Sequence, residues 1–73
     1  MGGRGTNSKI NPLAFIDNNP KLSKAVDKVF DRVNLEGIDS DIYNHMFRYK
    51  IIRDLPEEQQ DLIYDYIARR AGF

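Results

Sequence analysis

Cysteine is absent from this 73-residue chain, histidine occurs once, and neither sign of charge is in excess: eleven Lys and Arg stand against eleven Asp and Glu. Each absence removes a class of chemistry. Without cysteine there is no disulfide and no thiolate metal site, which suits a reducing compartment. Without a basic surplus the chain lacks the charge signature of a non-specific nucleic-acid binder, because phosphate neutralisation carries that affinity. Without an acidic surplus it does not imitate DNA. No apolar run approaches the roughly 18 residues of a membrane span. The opening Met-Gly-Gly-Arg-Gly-Thr-Asn-Ser-Lys has none of the apolar stretch of a signal peptide. A soluble, cytoplasmic protein with no membrane partner is expected. Internal repeats and strand-like alternation are also missing.

What remains is helical patterning. Gly2, Gly3 and Gly5 precede the first apolar side chain after Met1, Ile10, so nothing offsets the entropy of ordering them. Residues 1–10 are expected to be a disordered tail and 11–73 a single helical domain. Asn11-Pro12 and Asn19-Pro20 both read as helix starts, since Asn caps an N-terminus and Pro suits the first helical position. The first opens a short turn through Leu13, Ala14, Phe15 and Ile16. The second opens a longer helix in which Leu22, Ala25, Val26, Val29, Phe30 and Val33 recur at helical spacing. Lys21, Lys24, Asp27, Lys28, Asp31 and Arg32 fall on its wet side. A break over Asn34 to Asp39, with Gly37 turning the chain, leads to a third helix capped by Asp39 or Ser40 and running to about Arg53. Asp54-Leu55-Pro56 ends it. The last helix carries Glu57 and Glu58 in its first turn and Arg69 and Arg70 in its last, as the helix dipole favours. Leu62, Ile63, Tyr66, Ile67 and Ala71 form its apolar face, Tyr64 lies opposite, and Gly72 stops it. The expected fold is all-α: a compact bundle of three main helices, with the third between the others.

The third helix stands apart. Ile42, Tyr43, Met46, Phe47, Tyr49, Ile51 and Ile52 spread around most of a cylinder, leaving a narrow polar strip at Asn44 and Arg48. Such a helix is central in a core or offers a second face to a partner.

Reactive chemistry finds little support in the residues. Ser8, Ser23 and Ser40 sit in the tail, on a helix surface and at a cap, and His45 has no partner three or four residues away. The acidic run from Asn34 to Asp41 lacks the alternation and terminal Glu of a calcium loop. The tail glycines lead into no Gly-Lys-Ser/Thr element. No enzyme activity, cofactor or metal is expected.

Protein binding is the leading class, with Tyr43, Arg48, Ile52 and Tyr64 as the expected contact residues and a further copy of the chain, a host protein or a phage protein as partner. A nucleic-acid-associated regulator is the alternative, less favoured because Glu57, Glu58 and Asp61 occupy the start of the last helix. It would use Arg48, Lys50, Arg53, Arg69 and Arg70. The five-residue opening Met-Gly-Gly-Arg-Gly, leading into Ser and Asn, resembles the start of small proteins encoded by phages and prophages of Gram-positive bacteria. That resemblance implies a phage or mobile-element protein that acts by binding, in virion assembly or on a host protein such as a defence nuclease, which it would inhibit.

Overall fold

The computed structural model describes residues 12–73, and every regular element among them is helical. The elements are α1 (Ala14–Asp17), α2 (Pro20–Glu36), α3 (Ile42–Met46), α4 (Lys50–Arg53) and α5 (Glu57–Ala71). The tail expected over residues 1–10, and the cap expected at Asn11, lie outside the described residues.

Helix α2 starts where the Asn-Pro step places it. The Asn19 side chain accepts from the Leu22 amide at 3.3 Å, and Pro20 fills the first position. Its apolar stripe is the floor of the core: Leu22, Ala25, Val26, Val29 and Val33 are buried, whereas Phe30 is half-buried. The helix runs three residues further than the expected break, to Glu36. Gly37 then stops it at φ 84° and ψ −160°, a region closed to residues with a Cβ. Helix α5 lies along α2 and buries Ile63 and Ile67. It ends on Gly72 in the left-handed conformation.

The middle of the chain corrects the expected third helix. Instead of one cylinder from Asp39 to Arg53 there are two short pieces, separated by a turn at Phe47–Tyr49. The cap is Asp41, whose carboxylate accepts from the Asn44 amide at 3.0 Å, rather than Asp39 or Ser40. Tyr49 takes an extended conformation (φ −104°, ψ 115°) and breaks the helical ladder there. The physical reason is the surplus of apolar side chains. On one straight helix they could not all face the same core. The break lets Ile42 and Met46 from α3 and Ile52 from α4 enter it together. Gln60 steadies the second piece: its amide donates to the carbonyl of Arg53 (3.0 Å), the last residue of α4, and to that of Leu55 (3.1 Å) in the turn that follows. No helix among the described residues is long and apolar enough to cross a membrane.

Candidate functional site

Of the four side chains expected to meet a protein partner, the fold brings two together. Tyr43 on α3 and Tyr64 on α5 stack with ring centroids 4.6 Å apart and planes 19° apart. Phe47 extends the group, its centroid 5.7 Å from Tyr43. All three rings remain more than a third exposed. The Tyr43 hydroxyl donates to Asp61 Oδ1 at 2.8 Å, which pins the ring. That bond to a carboxylate, with some burial and the nearby charge of Asp61, raises the Tyr43 pKa above the ordinary phenol value. Acids border the rings, because Glu57, Asp61 and Asp65 recur every four residues along α5, with Glu58 beside them. Asp65 is engaged by Arg69 at 3.0 Å, while Glu57 and Glu58 form no salt bridge among the described residues.

Ile52 does not belong to this surface. It is 0% exposed and touches only the core, so it cannot contact a partner. Arg48 is exposed but lies elsewhere, beside α2. It lines a notch of about 60 Å³ with Lys28, Arg32, His45 and Tyr49, and no acid takes part in the lining.

The five residues expected to contact nucleic acid are dispersed. Lys50 is bound to Asp54, Arg53 donates to the Phe47 carbonyl at 3.4 Å, and Arg69 pairs with Asp65. Arg70 reaches Asp27 at 3.2 Å and covers the Phe30 ring at 4.2 Å, clamping the end of α5 to α2. Among the five, only Arg48 has no salt bridge or side-chain hydrogen bond to the described residues.

Cations without a salt bridge among the described residues gather on the face of α2 that the sequence marks simply as its wet side. Lys21, Lys24, Lys28 and Arg32 recur at steps of three, four and four on α2, all exposed and none in a salt bridge among the described residues. With Leu35 they occupy a sector of about 80° at 100° per residue, a stripe about 21 Å long. Leu35 is 81% exposed, and Ile38 in the following turn is 78% exposed. Asp31 borders the stripe without pairing to it.

His45 is buried, as a core-edge residue should be, but it has a partner that helical spacing could not show. Its Nε2 donates to Glu36 Oε1 at 2.8 Å, across the loop from α2. An ionised carboxylate only accepts, so the proton sits on Nε2. The Ser40 hydroxyl donates to the same Glu36 oxygen at 3.1 Å. These bonds, the one from His45 foremost, lower the Glu36 pKa below its ordinary value. Serine and histidine thus share an acceptor, and the base does not face the hydroxyl as nucleophilic catalysis requires. A shallow cleft of about 440 Å³ between Leu13, Leu62 and Tyr66 is flanked by Arg69 and Arg70, both already paired. No group of three or more metal-ligating side chains occurs among the described residues.

Set beside family models, curated proteins and solved structures, the chain matches none of them.

Proposed function

We propose that this chain is a non-enzymatic protein-interaction module that docks a partner on the aromatic face formed by Tyr43, Phe47 and Tyr64. The observation that carries the reading is the stacked Tyr43–Tyr64 pair held at the surface by Asp61. Aromatic side chains are enriched at interfaces because they bring large contact area with few torsions to freeze. Here the stack and the hydroxyl bond have frozen them already, so association loses less side-chain entropy. Phage or mobile-element origin belongs to the same proposal, with a virion protein, a host protein or a further copy of the chain as the partner. So does inhibition of a host enzyme, which would use the same face. The nucleic-acid alternative loses support in its first form, since four of its five residues are engaged within the fold.

The test compares affinity capture by the wild type with capture by a Phe47→Ser/Tyr64→Ala variant whose helical circular dichroism is unchanged. The expected result is loss of specifically retained protein. Retention at equal occupancy by the variant sinks the reading.

A further inference from the structure

Resting on that reading, we infer that the partner of the aromatic face is a second copy of this chain, which presents its α2 stripe. The two surfaces are complementary in charge, length and apolar content. The stripe offers Lys21, Lys24, Lys28 and Arg32, none of them in a salt bridge among the described residues although the charge of Arg32 reaches Glu36 one turn on, with Arg48 alongside. From Lys21 to Arg32 it runs about 16 Å, at 1.5 Å per residue. The acidic row on α5, from Glu57 through Asp61 to Asp65, runs about 12 Å by the same rise. Both rows lie on the two long helices, so each is straight and rigid enough to register against the other.

Charge crowding of this kind costs the monomer something. Like charges four apart on a helix, as at Lys24–Lys28 and Lys28–Arg32, are mutually destabilising. A facing row of carboxylates removes the cost.

The apolar residues choose between occupants. A phosphate polymer would neutralise the cations but leave Leu35 and Ile38 in water. A second copy covers both kinds of surface, because Phe47, Tyr43 and Tyr64 adjoin the acidic row. The two faces differ, so the contact is heterologous. It closes only if the rotation allows and otherwise grows head to tail.

Sedimentation of the full chain over a concentration series tests this directly. At an ionic strength of about 20 mM the weight-average mass should rise to at least twice that of one chain, and it should return to one at about 500 mM, where exposed charges are screened. Lys28→Glu/Arg32→Glu and Glu57→Lys/Glu58→Lys should each remain single at low salt while keeping wild-type helicity. Mixed in equal amounts they should recover pairing, because each retains the face that the other has not altered. A wild type that stays single at every concentration overturns the inference, as does a mixture that stays single. So does low-salt binding of duplex DNA or anionic vesicles, lost in Lys28→Glu/Arg32→Glu, by a chain that never self-associates. In any of these cases the aromatic face stands or falls separately, on capture by the Phe47→Ser/Tyr64→Ala variant.

Discussion

Glu36 is a single carboxylate that ties three segments together: the end of α2, the turn through Ser40, and α3 through His45. Its pKa is lowered in the fold, so the unfolded chain takes up the proton first on acidification. Its stabilising contribution is therefore complete at neutral pH, above the unfolded value, and is lost as pH falls from the usual carboxylate range through the lowered folded value. Urea midpoints of wild type and Glu36→Gln should differ most near neutrality and converge as pH falls through and below the usual carboxylate range. A constant gap across that range would show that the ionised state of Glu36 does not contribute. Neither Glu36–His45 nor the burial of Ile52 was legible at this scale. Nine residues and a turn separate Glu36 from His45, whereas helical spacing reports only neighbours three or four apart. Ile52 was placed on a surface by a wheel drawn through Tyr49, where no helix continues. Tyr43 and Tyr64 were each singled out beforehand, but their stacking depends on how α3 meets α5.

At the scale of elements, the two long helices were readable because their apolar periodicity is sustained and their ends carry chemistry that only an end needs. Asn19-Pro20, Glu57-Glu58 and Gly72 all sit where capping and dipole arguments put them. The middle segment was misread because its apolar residues exceed what one helix can direct at one core, and single-helix periodicity has no term for breaking. Two predictions belong here. Replacing Ile52 with Ala should cost about 2–5 kcal/mol, the range for emptying a packed aliphatic site, although it sits in a helix of four residues. A cost near zero in chemical denaturation would place it outside the core. Replacing Gly37 with Ala should cost about 1–3 kcal/mol from backbone strain alone. A Cβ there meets nothing within 4 Å, so no clash contributes. Equal stability of the variant would mean that the turn can relax to another conformation.

For the molecule as a whole, composition concealed the most informative property. Counting charges returns zero, yet the fold sorts them into a cationic stripe on α2 and an acidic row on α5. The stripe could have been drawn from the steps between Lys21, Lys24, Lys28 and Arg32. Its lack of salt bridges among the described residues could not, because pairing depends on which acids the fold brings near. The sorting has a thermodynamic signature. Lys28→Glu turns two repulsive spacings, to Lys24 and Arg32, into attractive ones and the attractive spacing to Asp31 into a repulsive one, so the isolated chain should gain a net of about 0.4–1 kcal/mol at low salt. Thermal melts of dilute protein at low and high salt measure this, and a variant less stable than wild type at low salt would contradict it.

The turn at Phe47–Tyr49 also sets an order of opening. Helices α2 and α5 hold 17 and 15 residues, whereas α3 and α4 hold five and four and depend on side-chain bonds from Asp41, His45, Tyr43 and Gln60 and on their few core side chains. Amide protons in 42–53 should therefore trade with solvent deuterium through partial openings that leave the α2–α5 pair intact, ahead of the buried amides of that pair. The stacked Tyr43–Tyr64 pair sits across the boundary between the two zones. The surface proposed to meet a partner is built partly on the less durable of these two zones, and whatever covers it should slow that exchange first.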